Sequence, residues 1–543
     1  MIRHVARAAR LASLMAIITL LAPLLVWTSS VRAETPPDMA VIVWQLDELI
    51  TLDPAEAYEF SGAEIAANVY DRLVYYDIDD TDTIHGGIAE RWDISDDGRT
   101  FTFHIREGIT FHSGNPVTAQ DVAWSLQRVV RLNKGPAFIL GAFGLTPENV
   151  AARVRAVDDH TLVFETDKRY APSFVLNCLG SWVSSVLDSK TVMAHDENGD
   201  LGNGWLKTHV AGSGPFTLAL WRPNEMVVLD RFEGYWRGAP EMKRVALRHV
   251  PVSAPQRLML EKGDADIARN LSPDDLAALT GNPDITIRQV PQGAIYYLGL
   301  NQKNPILADP SVREALKWLI DYEGIERAIL QGTKVRHQSF LPAGFLGAID
   351  DRPYSLDLDK ARALLKDAGL ESGFSITMDV RNTYPTVEVA QAIQATWAQV
   401  GIDLEIIPGD NRQTLTKYRA RQHDIYIGRW APDFLDPHAN AVGFAWNPDN
   451  ADDSPYRLLA WRNAWDIPEM TAQTEAALAE PDVGERRRMY EALQRAHQAT
   501  SPFVLMFQDI AVVAERTGVT GFEVGPNFDV VYYRNISKSG GQE

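Results

Sequence analysis

The sequence has very little cysteine and, beyond its first residues, no long hydrophobic run. Its single cysteine, Cys178, cannot form an internal disulfide, so the stability of the fold must come from hydrophobic cores. Cys178 lies in an apolar stretch and is predicted to be a buried thiol without a reactive role. No segment after residue 33 is long and apolar enough to span a bilayer. These absences exclude a disulfide scaffold and a protein with several membrane spans.

The sequence also lacks the motifs of common hydrolases and metal centres. It contains no His-Glu-x-x-His, no Gly-x-Ser-x-Gly and no cysteine pair, and its 12 histidines are scattered. Gly212-Ser213-Gly214-Pro215 is predicted to be a turn, because neither a helix pattern nor a Lys-Ser/Thr pair follows, as a phosphate loop requires. The sequence therefore gives no catalytic assignment: no enzyme, no metal site and no cofactor is predicted.

Basic residues are scarce relative to acidic ones. The chain has 52 lysines and arginines against 72 aspartates and glutamates, a net charge of −20. Residues 1–33 hold four arginines and no acid, so their removal would bring the net charge to −24. This balance argues against nucleic acid or an anionic membrane as a partner, since both bind basic surfaces. At 543 residues the chain is too long for one ordinary domain.

The N-terminus has the pattern of an export signal. Residues 1–10 carry three arginines and no acid, and residues 11–27 are apolar except for one serine and one threonine. Val31-Arg32-Ala33 provides a small-residue cleavage site before Glu34. Pro23 within the apolar run and the cleavage site after it favour a removed signal peptide over a membrane anchor. No lipid-accepting cysteine follows the cleavage site, so we expect the mature protein to be free in a periplasm.

The stretch from Ile88 to Arg128 predicts two strands followed by a helix. Residues 100–105 alternate between apolar and polar side chains, as in a half-buried strand. Thr118 and Asp121 have the spacing of a capping box, and an apolar helical stripe follows them. Any α/β protein could contain this pattern of strands and helix. The particular residues that form it are more specific than the pattern.

The order and spacing of several short blocks resemble the family 5 extracellular solute-binding proteins, the dipeptide, oligopeptide and nickel receptors of ABC importers. The blocks are Leu52-Asp53-Pro54, Ser95-Asp96-Asp97-Gly98, Phe101-x-Phe103-His104-Ile105-Arg106, Phe111-His112-Ser113-Gly114, Thr118-Ala119-Gln120-Asp121-Val122, Gly212-Ser213-Gly214-Pro215-Phe216 and Leu260-Glu261-Lys262-Gly263-Asp264-Ala265-Asp266. The resemblance extends over nearly all of the chain after residue 33.

The second half of the chain alternates between predicted strands and helices. In order these are a strand over 375–380, a helix over 386–400, a strand over 402–406, a helix over 411–421 and a strand over 424–428. Strands separated by helices predict parallel βαβ units in a doubly wound α/β sheet.

The resemblance implies a two-lobed periplasmic-binding-protein fold of the class II type, with an extra subdomain inserted in lobe one and a hinge between the lobes. Lobe one is predicted to comprise 34–290 plus 511–543, with the insert over 78–200. Lobe two is predicted to comprise 291–510.

Topology indicates where a ligand binds. In open α/β sheets ligands lie outside the carboxyl ends of the strands. Arg381 follows one predicted strand, and Arg429, Trp430 and Asp433 follow another. A cation and a carboxylate at neighbouring strand ends could hold the two ends of a zwitterion.

The resemblance assigns roles to these residues. The block Trp430-x-x-Asp433-x-x-Asp436-Pro437 resembles the family segment whose first aspartate pairs with the α-amino group of a peptide, which maps to Asp433. Arg381 resembles the carboxylate anchor of the dipeptide receptors. Arg429 departs from the pattern, which usually has glycine there, and could favour an anionic ligand.

Two aromatic residues complete the predicted site. Tyr58 and Phe60 lie in the lobe-one segment that faces ligand in the family. Asp436, before Pro437, is expected to be a turn residue whose replacement affects binding less than that of Asp433.

We interpret the sequence as a monomeric periplasmic receptor that encloses a short peptide or an amino-acid-derived solute and delivers it to an inner-membrane ABC permease. The same role for an opine, a sugar or a metal chelate is an alternative. An exported hydrolase would need a nucleophile or metal site that the sequence lacks. A periplasmic chaperone would need an exposed apolar groove.

Overall fold

The computed structural model describes residues 34–78 and 80–539. The largest sheet of this part of the chain has eleven strands. Ten of them form one path, in the spatial order Ile402–Gly409, Phe374–Arg381, Ile425–Trp430, Ile285–Leu300, Phe503–Arg516, Ile267–Ala268, Met39–Trp44, Arg244–His249, Met226–Arg231 and Phe216–Arg222. Lys334–Arg336 pairs with Phe503–Arg516 beside this path.

In the described part of the chain, four smaller sheets and many helices accompany the large sheet. A separate antiparallel sheet has the order Ala89–Ile94, Thr100–Ile105, Thr161–Glu165 and Val154–Asp158. Three two-stranded sheets are formed by Val74–Asp77 with Asp80–Gly86, Val519–Thr520 with Ser537–Lys538, and Glu523–Val524 with Val531–Tyr532. The α-helices are Phe60–Val69, Ala119–Leu132, Phe138–Gly141, Val150–Arg153, Pro172–Leu179, Ser189–Met193, Asn203–Leu206, Ser253–Lys262, Pro273–Leu279, Pro305–Ala308, Pro310–Trp318, Tyr322–Ile325, Leu358–Asp367, Thr386–Ala398, Asn411–Arg419, His438–Phe444, Leu459–Arg462, Pro468–Ala479 and Val483–Thr500. Within residues 34–78 and 80–539, none of the helices is long and apolar enough to cross a membrane.

Two long antiparallel strands connect the two ends of the large sheet. Ile285–Leu300 and Phe503–Arg516 are hydrogen-bonded to each other along most of their length, and we call them the central strand pair. We use "first lobe" for the elements before Ile285 together with those after Arg516, and "second lobe" for the elements between Leu300 and Phe503.

The predicted lobe boundaries fall inside the central strand pair. Val290 is opposite Ala511 and Pro291 is opposite Ile510, and regular pairing is then interrupted until Ile295. The separate four-stranded sheet lies within 78–200, where the inserted subdomain is predicted. The bounds of the lobes and of the insert stay a prediction.

The strand–helix alternation predicted for the second lobe is confirmed. Phe374–Arg381 pairs in parallel with both Ile402–Gly409 and Ile425–Trp430. The large sheet as a whole is mixed and not doubly wound throughout, because the central strand pair is antiparallel. The last of these strands ends at Trp430, not at residue 428 as predicted, because Tyr296 and Ile295 of the central strand pair extend its pairing.

Each lobe has its own hydrophobic core. The first-lobe core includes Phe101, Phe103 and Trp182, each 0% exposed. Cys178 belongs to it and is also 0% exposed, as predicted for a buried thiol. The capping box at Thr118 and Asp121 is present at the start of its helix, so the helix begins as the sequence predicts.

Candidate functional site

The two lobes meet at a hydrogen bond between Tyr58 and Asp433. Tyr58 precedes the helix Phe60–Val69 of the first lobe, and Asp433 follows the strand Ile425–Trp430 of the second. The Tyr58 hydroxyl donates to Oδ1 of Asp433 over 2.6 Å. The Tyr58 ring is held by Trp182, with ring centroids 6.3 Å apart. Two residues that were predicted separately for the site therefore lie together, one from each lobe.

The environment of Asp433 favours a positive partner. Burial raises the pKa of its carboxyl group, and the hydrogen bond from Tyr58 lowers that pKa and opposes part of the effect. Among the described residues, no basic side chain forms an ion pair with Asp433. The pKa of the Tyr58 hydroxyl is raised by burial and by the Asp433 carboxylate, so it stays protonated and donates. Asp433 is thus a half-buried carboxylate held by a neutral donor.

Arg429 does not extend freely into the space between the lobes. Its Nε donates to Oδ2 of Asp509 over 2.9 Å, and the ammonium group of Lys334 lies 2.8 Å from Oδ1 of the same carboxylate. Glu48 of the first lobe also interacts electrostatically with Arg429. Because Asp509 already accepts from the Nε of Arg429, the geometry gives little support to Arg429 as a selector of anionic ligands.

The two other aromatic residues of the predicted site are half-buried. Phe60 stacks on Phe528 with ring centroids 4.8 Å apart, and the Arg429 guanidinium lies 5.6 Å from the Phe60 ring. Trp430 packs against Gly443, where an added Cβ would lie 3.4 Å from the indole. The Trp430 ring is thus packed on the second-lobe core, while Phe60 lies beside Arg429 between the lobes.

Arg381 is not hydrogen-bonded to the other predicted site residues in the described part of the chain. It is the last residue of the strand Phe374–Arg381, which runs parallel to Ile425–Trp430, so the two strands end at the same edge of the sheet. Its side chain is half-buried, and its Nε has no hydrogen-bond partner in the described part of the chain. No hydrogen bond joins it to Tyr58, Asp433 or the remaining predicted residues that the structure describes.

Asp436 is more than the turn residue expected from its position before Pro437. Its main-chain oxygen accepts from the Ala439 amide, as in a turn, but its carboxylate is 0% exposed and forms a two-pronged ion pair with Arg486, each contact 2.8 Å long. Asn177 of the first lobe donates to Oδ2 of the same carboxylate over 2.8 Å. Asp436 is therefore a buried charge at the contact between the lobes.

Sequence reasoning missed Arg486, although a signal for it exists. Arg486 is the first of three successive arginines, and of these it alone is fully buried. It recurs at helical spacing with Tyr490, Leu493 and His497, which are all buried, so it occupies the inward face of Val483–Thr500. The spacing of that stripe could have distinguished it from its two neighbours.

The described residues contain no cluster of three or more His, Cys, Asp or Glu side chains placed to hold a metal ion. The arrangement instead offers a carboxylate, an arginine at a neighbouring strand end and aromatic rings between two lobes. Such groups can hold an ammonium group, a carboxylate and apolar side chains of a small solute.

Comparisons with known proteins all lead to extracellular or periplasmic binding proteins. Residues 83–452 match the family described as bacterial extracellular solute-binding proteins, family 5 Middle. A probable D,D-dipeptide-binding periplasmic protein, DdpA of Escherichia coli K12, is 30% identical over 510 residues, which cover 93% of this chain and 95% of that protein.

Solved structures share the fold. The periplasmic binding protein DppA from Helicobacter pylori, in complex with the peptide STSA, superposes with a TM-score of 0.74 at 24% identity and covers 92% of this chain and 98% of its own. The binding protein AgaA from A. tumefaciens R10, in complex with agropinic acid, superposes with a TM-score of 0.70 at 22% identity over 93% and 99% of the two chains. The two-lobed binding-protein fold expected from the sequence is confirmed.

Proposed function

Because this chain belongs to the family 5 bacterial extracellular solute-binding proteins, which are transport receptors and not enzymes, we propose that it carries a short peptide or an amino-acid-derived solute between its two lobes. In this proposal the Asp433 carboxylate holds the solute's amino group. An ABC permease then receives the solute from the closed receptor.

The observation that best supports this proposal is a difference between Asp433 and Asp436, which lie in one segment but have different partners. Asp436 has a cation of its own chain, Arg486, within 2.8 Å. Asp433 has no such cation among the described residues, only the hydroxyl of Tyr58. A carboxylate withdrawn from water is unfavourable unless it is paired, so an arriving ammonium group gains a charge-assisted hydrogen bond there. This contrast supports a cationic group of the solute at Asp433.

Arg381 is the best candidate for the other end of the solute. It lies at the edge of the sheet where the strand leading to Asp433 also ends, and its Nε has no partner in the described chain. Arg429 is less suited, because Asp509 already takes its Nε. An amine at Asp433 and a carboxylate at Arg381 would match the two ends of a short peptide. DdpA is named as a probable D,D-dipeptide-binding protein, and DppA was solved in complex with the peptide STSA.

The same proposal includes the compartment and the assembly. The sequence signal at residues 31–33 supports export and a mature chain that begins at Glu34; these residues lie outside the described range. The matched relative DdpA is named as a periplasmic protein. We propose that the mature receptor is a monomer. We also propose that it has no lipid anchor, since Glu34 and not a cysteine directly follows the cleavage site.

A matched ligand panel tests the proposal. Calorimetric or thermal-shift titrations would compare L-alanyl-L-alanine, D-alanyl-D-alanine and agropinic acid, each dipeptide also in its N-acetylated form. A free-amine ligand at 100-fold above its Kd should add roughly 2.7 kcal/mol of stability, and its N-acetylated form should add none. Equal binding of a dipeptide and its N-acetylated form would contradict the role of Asp433. Binding of agropinic acid alone would favour an amino-acid conjugate over a peptide.

A further inference from the structure

The helix Pro172–Leu179 of the first lobe, which we call the interface helix, contacts the second lobe through polar groups. Asn177 Nδ2 donates to Oδ2 of Asp436 over 2.8 Å, and Nη1 of Arg486 donates to the Ser173 hydroxyl over 3.0 Å. Just before the helix, the amide of Ala171 donates to the carbonyl of Leu478 over 2.8 Å. These hydrogen bonds join the lobes outside the Tyr58–Asp433 site.

The charged pair that receives these contacts belongs entirely to the second lobe. Asp436 and Arg486 are both 0% exposed and bond each other at two points. Arg486 Nε also donates to the carbonyl of Ala477 over 3.0 Å. Separation of the lobes would therefore leave the ion pair whole. It would remove only the groups that the interface helix supplies.

Asn177 is oriented for this contact by its own lobe. The Tyr76 hydroxyl donates to Oδ1 of Asn177 over 2.7 Å, and Tyr76 is itself buried. With its oxygen taken, the amide can present only its Nδ2 donor to Asp436. The donor is thus already aimed before the lobes meet, which lowers the entropic loss of forming the contact.

Apolar groups exclude water around the contact. The ring of Phe174, on the interface helix, lies edge-on to Phe434 at 5.7 Å and to His438 at 5.4 Å between ring centroids. All three rings are buried. A hydrogen bond to a charged group in such surroundings contributes more than one in water, and its loss is correspondingly unfavourable.

We propose that Asn177 is a positioning residue that holds the lobes together and thereby sets the affinity for the solute. The proposal rests on the proposed function, because it assumes a solute enclosed between the lobes. Asp436 and Asp433 belong to the same segment, so the contact that fixes Asp436 also fixes Asp433 opposite Tyr58. A solute that binds only the closed arrangement is bound more weakly by the factor by which that arrangement is depopulated.

The experiment uses the protein without any solute, so that its outcome is independent of what Asp433 binds. Asn177→Asp keeps the shape and places a second carboxylate against Asp436. Amide hydrogen exchange in 434–444 and in the interface helix should accelerate by about tenfold or more, and small-angle scattering should give a larger radius of gyration. Asn68→Ala is the matched control, because Asn68 is buried and bonds only first-lobe groups, Glu64 O, Val531 O and the amide of Tyr533.

The control should lower the melting temperature and leave exchange in 434–444 and the radius of gyration unchanged. If Asn177→Asp also lowers only the melting temperature and leaves exchange and the radius of gyration unchanged, the proposal is overturned. Asn177 would then have a purely structural role. If Asn177→Asp does not fold, Ser173→Ala decides the matter. It should accelerate exchange in 434–444 about threefold or more, and wild-type exchange in it would overturn the proposal.

Discussion

The hydroxyl of Tyr58 lies 2.6 Å from Oδ1 of Asp433, so a single hydrogen bond links the first lobe to the carboxylate proposed to hold the solute. Tyr58 is 44% exposed, so part of this residue faces solvent beside that carboxylate. If the lobes close on a solute as proposed, we expect this hydrogen bond to form in the same step.

Replacing Asp433 should weaken solute binding without unfolding the protein. Asp433→Asn retains the shape and removes the charge, leaving the solute's ammonium group without its partner. We expect affinity for the amine-bearing dipeptide of the panel to fall about 30-fold or more. Calorimetric titration measures this. Asp453→Asn removes an exposed second-lobe charge as a control, and equal affinities of the two variants would count against the assignment.

Replacing Tyr58 should have a smaller effect of the same sign. Tyr58→Phe keeps the ring on Trp182 and removes the donor to Asp433, and a hydrogen bond to a charged group contributes about 1.5–3 kcal/mol. Part of this is recovered when the solute's ammonium group pairs with Asp433, so we expect affinity to fall about threefold to tenfold, mostly through faster dissociation. Stopped-flow kinetics measures the association and dissociation rates of the solute separately. Tyr456→Phe, at a tyrosine that is 50% exposed, should leave both unchanged.

Asp436 should matter for stability far more than its position before Pro437 suggests. Asp436→Asn leaves Arg486 buried without its counter-charge, and loss of one partner of a buried pair costs about 3–5 kcal/mol. Urea denaturation monitored by circular dichroism measures this cost. The pair Arg488–Glu485 offers the exposed counterpart, so Glu485→Gln should change stability by less than about 1 kcal/mol. Similar losses of unfolding free energy in the two variants would contradict the conclusion that Asp436 forms a buried ion pair.

Stability should fall as the pH falls from about 6.5 to about 4. Burial lowers the pKa of His337, His423 and His438 from 6.5 to about 4. Between these values the unfolded chain binds protons that the folded chain does not, so each histidine removes up to about 1.4 kcal/mol of stability per pH unit. Thermal unfolding at a series of pH values measures how stability changes with pH. A stability that stays constant between pH 6.5 and 4 would refute the prediction.

One buried carboxyl group should act in the opposite direction. Burial raises the pKa of Asp71 from 3.8 to about 6, against the lowering effect of hydrogen bonds from Ser213, Trp236 and Tyr235. Below pH 6 the folded state binds this proton more readily than the unfolded state, so Asp71 adds stability as the pH falls. Asp71→Asn should therefore make the acid loss of stability steeper, provided that the variant folds.

Export should leave a mature chain that starts at Glu34. We expect N-terminal sequencing of the protein from a periplasmic extract to give Glu-Thr-Pro-Pro. A chain that keeps Met1 and remains in the membrane fraction would contradict the signal-peptide interpretation. Replacing Ala33 by a bulky residue should block cleavage and serves as the control.

Much of the fold could be predicted from the sequence, because it follows from local patterns. The capping box at Thr118 and the alternation of strands and helices after residue 374 depend on residues close in the chain. The extension of one strand to Trp430 could not be predicted, because its pairing partners, Tyr296 and Ile295, are far away in sequence.

The candidate site divides in the same way. The resemblance indicated Tyr58 and Asp433 separately as site residues, and the structure places them in contact; their role in binding stays a prediction. The pairing of Arg429 with Asp509 was not expected. The burial of Asp436 depends on Asn177 and Arg486, which the fold brings together from distant parts of the chain. Long-range pairing of charges leaves no periodic trace in the sequence. The helical spacing of Arg486 with buried neighbours is a local indication that this arginine is buried, but it does not identify Asp436 as its partner.

The central strand pair determines how the lobes can move. Its strands, Ile285–Leu300 and Phe503–Arg516, are hydrogen-bonded to each other on both sides of the interruption between Pro291 and Ile295. Two bonded strands bend readily out of the plane of the sheet, but they resist sliding past each other and bending within that plane. We therefore expect opening to be confined to nearly one angle, so that each closure returns Tyr58 to the same place relative to Asp433. The entropy lost on closing would then be that of one rotation, which leaves most of the solute's contact energy available as affinity.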